Sequence, residues 1–157
     1  MLSAESLRMI DKAIAKYPEK ERQSAVMAAL TIAQGEKGWL SPELMDCVAQ
    51  YLGMAPVAVY EIATFYAMYE RQPVGKYKLC VCTNLPCALS GANEAADHLK
   101  KRLGVDWNET TADGRYTLKQ GECFGACGDA PVLLVNDKKM ASFMTPENID
   151  KLLAELK

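Results

Sequence analysis

One histidine, His98, occurs among 157 residues. That scarcity excludes a Rieske-type centre, which takes two His ligands. Nor does any stretch approach the roughly 18 uncharged apolar residues of a membrane span. Residues 48–60 are free of charge but short, and Gly53 and Pro56 interrupt them. The first residues, MLSAESLRMIDKAIAKYP, are broken by Glu5, Arg8, Asp11 and Lys12 and lack the apolar core of a secretory signal. Charge of one sign is not in excess either: the formal net charge is -2, with no basic run suited to anionic lipid. Nucleic acid as a partner and direct membrane insertion are therefore not expected. No G-x-G-x-x-G follows a strand and no P-loop is present, so a nucleotide site in this chain is not expected either. There is no internal repeat and no low-complexity segment. These absences point to a globular protein of the cytoplasm.

What the chain does have is cysteine, six in all. In a reducing compartment these are metal ligands or core residues before they are a disulfide framework. There is no C-x2-C, the usual motif of a thioredoxin-type thiol–disulfide enzyme.

The chain changes character near Arg71 to Lys76, a segment holding Pro73 and Gly75. Before it, the apolar spacing is helical throughout. Leu7, Ile10 and Ile14 stripe a first helix that Tyr17-Pro18 ends. Val26, Ala29, Leu30 and Ala33 stripe a second, which Gly35 and Gly38 end. Ser41 is an N-cap with Pro42 in the first helical position, and that third helix runs to about Leu52 before Gly53. Pro56 opens a fourth, striped by Val59, Ile62, Ala63 and Tyr66. Residues 1–72 thus read as a small four-helix bundle, with Tyr60, Phe65, Tyr66 and Tyr69 in its core.

Residues 73–157 read as α/β. Tyr77 to Cys82 alternates as a strand. Ala92, Ala95, Ala96, Leu99 and Leu103 mark a helix ended by Gly104. Tyr116 to Lys119 is a second strand. Val132 to Val135 and Lys138 to Phe143 pair across an Asn136-Asp137 turn. Thr145 caps a last helix opened by Pro146. The order β-α-β, hairpin, α resembles a thioredoxin-like domain, so the expected fold class is α+β: a helical bundle followed by that domain.

The cysteine spacing is Cys82-x4-Cys87, 35 residues, then Cys123-x3-Cys127. Two strands joined by a helix run parallel and present their C-terminal ends at one edge. Cys82 ends the first strand and Cys123 lies just past the second. Cys87 and Cys127 each follow within a short loop. Two pairs of sulfurs therefore converge where α/β sheets bind ligands, as a two-iron, two-sulfide cluster requires. Gly121, Gly125, Ala126 and Gly128 let backbone N–H groups come close. Zinc competes, because four cysteines also close a tetrahedral site. Spacing alone favours iron–sulfur and leaves zinc open. Cys47 and Cys80 read as packed thiols, although Cys80 shares a strand face with Cys82 and is a substitute ligand in principle. His98 reads as a surface residue. Lys100, Lys101 and Arg102 sit in a last helical turn, where positive charge suits the dipole.

VCTNLPCALSGA around Cys82 and Cys87, and GECFGACGDAPVLLVND around Cys123 and Cys127, resemble the thioredoxin-like [2Fe–2S] subunit of bacterial respiratory complex I, NADH:quinone oxidoreductase, where it is the smaller of the flavoprotein-fragment subunits. GWLSPELMDCVAQYLGM and VYEIATFYAMY extend the resemblance into the helical half. It covers nearly the whole chain, with all four ligand positions filled. The resemblance implies one [2Fe–2S] cluster on Cys82, Cys87, Cys123 and Cys127. It implies a larger flavoprotein partner that binds NADH and FMN and gives up electrons singly. It also implies a cluster beside the main electron path, in a complex held at the cytoplasmic face of the inner membrane. Alternatives carried forward are the equivalent subunit of an NAD-linked hydrogenase or formate dehydrogenase, a free-standing ferredoxin, and a zinc-stabilised interaction module.

Overall fold

Ser3 starts the first helix: its hydroxyl accepts the Ser6 N–H at 3.2 Å and caps α1, Ala4–Ile14. The computed structural model describes residues 1–156. Among these are seven α-helices and one four-stranded sheet, divided into two compact units, Met1–Pro73 and the chain from Val74 onward.

The first unit is helical. A 3-10 segment, Glu19–Ala25, follows α1 and leads into α2, Val26–Lys37. Gly35 lies inside α2. The helix stops at Gly38, whose φ of 84° is left-handed and whose N–H reaches Gln34 O. Ser41 caps α3, Pro42–Leu52, by accepting the Leu44 N–H at 3.2 Å, and Gly53 closes it at φ 69°. Pro56 opens α4, Pro56–Phe65. The stripes meet in a core of Ile10, Leu30, Leu40, Val48, Leu52 and Val59, all fully buried. Each contributes roughly 1.5–3 kcal/mol by leaving water.

The aromatic group of this unit departs from expectation. Tyr69 is buried and its hydroxyl donates to Met27 O at 2.9 Å, but Phe65 is 80% exposed and Tyr66 37%. Tyr66 takes an extended conformation as the C-cap of α4, so the helical stripe does not continue through it. Cys47 is half-buried, while its neighbours Val48 and Ala49 fill the core.

In the second unit, β1 (Tyr77–Cys82) lies parallel to β2 (Tyr116–Gly121), connected through α5 (Leu85–Leu89) and α6 (Ala92–Leu103). β3 (Leu133–Val135) pairs antiparallel with β1 on its other side, and β4 (Lys139–Ala141) completes the order β2-β1-β3-β4. Asn136 and Asp137, at φ 52° and 55°, make the tight β3–β4 turn. Thr145 caps α7, Pro146–Glu155. One face of the sheet, with Leu79, Val81, Leu118 and Leu133, packs on Leu99 of α6 and on Ile149 and Leu152 of α7. The alternation of strands then puts Lys78, Cys80 and Cys82, and their register partners Thr117, Lys119 and Gly121, on the other face.

Candidate metal centre

Cys82 is the last residue of β1, and its register partner across the parallel ladder is Gly121, the last of β2. The Cys82 N–H donates to Val132 O and the Thr83 N–H to Gly121 O, both at 3.1 Å. Three segments are thereby tied at one edge of the sheet: the end of β1, the end of β2 and the entry to β3. The Ala130-Pro131 peptide bond that precedes Val132 is cis.

Cys87 sits in the one-turn helix α5 rather than in a loop. Asn84 is extended, Pro86 fits the first turn, and the Ala88 N–H closes on Asn84 O at 2.9 Å. That turn presents the Cys87 thiol to Cys82. The two side chains lie in one small apolar group and are almost sealed from solvent, at 1% and 2% exposure. Burial pushes the Cys87 thiol up, and the neighbouring Cys82 and the charge of Cys127 push the same way. The Val132 backbone acts in the opposite sense.

The second pair lies in the open. Cys127 begins a 3-10 turn, Cys127–Asp129, and is exposed. It is close enough to act on Cys87 electrostatically. Cys123 is exposed too, and its sulfur accepts the Gly125 N–H at 3.3 Å. Gly125 has φ 73°, so the chain turns back there in a conformation that a side chain would strain. Asp129 anchors the far end: its carbonyl accepts the Phe143 N–H at 2.9 Å and its carboxylate accepts the Ser142 hydroxyl at 3.0 Å.

The sequence-derived cysteines are thus unequal in the fold. Cys82 and Cys87 are buried together, Cys127 is near enough to act on Cys87, and Cys123 is exposed. Among the described residues no three of His, Cys, Asp and Glu converge on a point that would hold a single ion. A tetrahedral zinc needs four thiolates around one ion. A [2Fe–2S] cluster needs only two at each iron, in two pairs a short distance apart. Two thiols buried together, with Cys127 near them and Cys123 exposed on the same segment, suit the two-iron group better than a single ion.

The remaining candidates have structural partners. His98 Nε2 lies 3.1 Å from Asp150 Oδ1, and Arg102 Nε 3.2 Å from the same oxygen, joining α6 to α7. Lys100 pairs with Asp106 at 2.6 Å and lies over the Trp107 ring. Cys80 is half-buried on the Cys82 face, with its sulfur beside Gly121. Two contributors carry no polar or ligand signature in the sequence: the backbone of Val132, and Phe124, which packs against the group that holds Cys82 and Cys87. An aromatic beside a ligand and next to a glycine was the visible signal for Phe124.

Comparison with known proteins agrees with this reading. The family profile of the thioredoxin-like [2Fe-2S] ferredoxins matches residues 10–157. NADH-quinone oxidoreductase subunit 2 of Thermus thermophilus is 39% identical over 148 residues, covering 94% of this chain and 82% of that protein. A subunit of the NADH-quinone oxidoreductase of Rhizobium meliloti is 46% identical, covering 82% of this chain and 75% of that protein. In fold, a chain of an NAD+-reducing [NiFe]-hydrogenase superposes with a TM-score of 0.70 at 19% identity, over 81% of this chain and 22% of that one. That likeness is one of fold alone. With the profile matched from the first helix to the last, this chain belongs to the thioredoxin-like [2Fe-2S] ferredoxin family.

Proposed function

We propose that the chain is the electron-transfer subunit of an NADH:quinone oxidoreductase, with Cys82, Cys87, Cys123 and Cys127 holding one [2Fe–2S] cluster. The observation that carries this is the Cys82–Cys87 pair, buried together at the edge of the sheet and within electrostatic reach of Cys127. Relatives at 39% and 46% identity over most of the chain are named as subunits of that enzyme.

Such a cluster, once bound, supplies one-electron exchange, here with the FMN of a larger NADH-binding flavoprotein subunit. The chain's own residues do the rest. Cys82 and Cys87 offer two thiolates where little water reaches, and the Val132 backbone stabilises negative charge on one of them. The Gly125 N–H does the same for Cys123. Burial resists ionisation of free Cys87, so the thiolate form is favoured only together with a cation, and occupancy is coupled to proton release. Residues 1–72 act as a four-helix bundle that docks on the partner complex, and 73–157 as the electron-carrying domain. No helix among the described residues is long and apolar enough to cross a membrane. Attachment at the cytoplasmic face of the inner membrane then comes through the complex.

Iron, zinc and acid-labile sulfide analysis on protein purified without air, with an electron paramagnetic resonance spectrum after reduction, tests the proposal. Iron and sulfide in equal amounts, with a signal that appears on reduction, is the expected result. Zinc without sulfide or signal would make the chain a structural module. Co-purification with a flavin-containing subunit tests the partner.

A further inference from the structure

Phe124 is the one large apolar side chain between Gly121 and Gly128. Its ring is half-buried and packs against the group formed by Cys82, Cys87, Ala92 and Val132. Beneath it lies Gly121, and the fit there is close. A β-carbon on Gly121 would meet the Phe124 Cζ at 2.4 Å and the Cys80 sulfur at 2.8 Å, so no side chain can stand at this position without displacing one of them. Gly121 is therefore required for space; it is not among the glycines with positive φ. Because Gly121 is the register partner of Cys82, the ring occupies the room beside Cys82 that residue 121 leaves empty. The ring thus reaches in from the turn that carries Cys123, while the Gly125 N–H holds the Cys123 sulfur.

We propose that Phe124 is a positioning residue: its ring, seated over Gly121, clasps the exposed Cys123–Cys127 segment to the buried Cys82–Cys87 pair and keeps water from that edge. This rests on the four cysteines being the ligands. The physical reason is that the two pairs differ in rigidity. Cys82 is held by two strands and Cys87 by a helical turn, whereas Cys123 has a single backbone donor on its sulfur. An aromatic ring supplies the missing anchorage at small entropic cost, since only two torsions are fixed. Losing the ring opens the edge to solvent. Water stabilises the more negative reduced state, so the potential rises.

The test uses the full chain in its iron-loaded form, with Phe124→Ala, Phe124→Leu, Gly121→Ala and the double variant Gly121→Ala/Phe124→Ala. Iron and sulfide content, the rate of iron loss to a chelator, and the reduction potential from an electron paramagnetic resonance titration are read for each. Phe124→Ala and Gly121→Ala should each lose iron about five- to tenfold faster than the parent, which corresponds to about 1–1.4 kcal/mol. Their potentials should move upward, and Phe124→Leu should recover most of both effects. In the double variant the effects should be smaller than the sum of the singles, because both act through one ring. A loaded parent with Phe124→Ala unchanged in loss rate and potential overturns the role of the ring alone. Additive effects in the double variant also overturn it. A parent that holds neither iron nor sulfide removes the ligand assignment and this inference together. Should Gly121→Ala fail to fold, the Phe124→Ala and Phe124→Leu pair decides the matter.

Discussion

The thiols of Cys82 and Cys87, from the end of a strand and from the helical turn after it, lie in one buried group and are screened from solvent. A buried pair of this kind has no packing reason to be two polarisable sulfurs rather than two aliphatic groups. Replacing Cys82 or Cys87 by Ser should abolish iron binding, because the harder, less acidic hydroxyl is a poor ligand in a site with little water. Cys123→Ala and Cys127→Ala should lose most of it. Cys47→Ala, in α3 of the other unit, should retain iron and sulfide in full. A fully loaded Cys123→Ala would overturn the ligand assignment and direct attention to Cys80, on the Cys82 face of β1.

A charge is buried on that same face. The Lys78 side chain is only 7% exposed and its Nζ lies 2.5 Å from Asp137 Oδ2, while its backbone N–H donates to Asn136 Oδ1 at 2.7 Å. The β3–β4 turn is thereby held to β1. Asp137→Asn keeps a residue type that tolerates positive φ and removes the charge that faces the ammonium. It should lower stability by about 1–3 kcal/mol, less than a wholly buried pair because Asp137 is a third exposed. Denaturant midpoints of the two proteins measure it; an unchanged midpoint would show that Lys78 is compensated by its other surroundings.

Acid should weaken the first unit through Glu36. Its carboxyl is lowered from the ordinary 4.5 to about 2, first by Lys37 and then by the Ser6 hydroxyl and the Ser3 N–H, the last at 2.9 Å. A carboxylate whose folded pKa is depressed stabilises the fold at any pH above its unfolded value, and that contribution fades as pH falls from about 4.5 to 2. Melting followed against pH should show a loss over this window in the parent and a flatter profile in Glu36→Gln. Identical profiles would mean that the carboxylate's contacts with α1 contribute nothing.

Much of this was legible in the sequence because the signals were local. Ser41-Pro42 and Thr145-Pro146 are helix starts, Gly53 and Gly104 helix ends, and Asn136-Asp137 a tight turn, each fixed by backbone chemistry within a few residues. The crossover between β1 and β2 follows from alternating periodicities, and with it the common edge of Cys82 and Cys123. What escaped depends on tertiary placement. The α5 turn is too short for periodicity to reveal. Phe65 carries a helical stripe in sequence but falls at the helix end, so it is exposed. The 3-10 segment Glu19–Ala25 is polar and has no stripe to read. Phe124 matters through the space over Gly121, which only the assembled sheet defines.

Iron removal offers a test of how the site supports its own domain. Cys82, Cys87, Ala92 and Val132 form a small apolar group at the sheet edge, joining β1, α5, α6 and the entry to β3. Ligation of the two cysteine pairs would tie the Cys127 turn to that group, and metal binding free energy then adds to the stability of the domain. The two tryptophans, Trp39 and Trp107, fall in different units. In a Trp39→Phe background, the fluorescence of Trp107, which packs on the core of the second unit, reports that unit alone. Stripping iron with a chelator under reducing conditions should lower the Trp107 melting temperature by several degrees. The corresponding Trp107→Phe protein, reporting through Trp39, should melt as before. A Trp107 transition that does not move on iron loss would mean that the cysteine segment is held by its hydrogen bonds and the Phe124 ring without help from the metal.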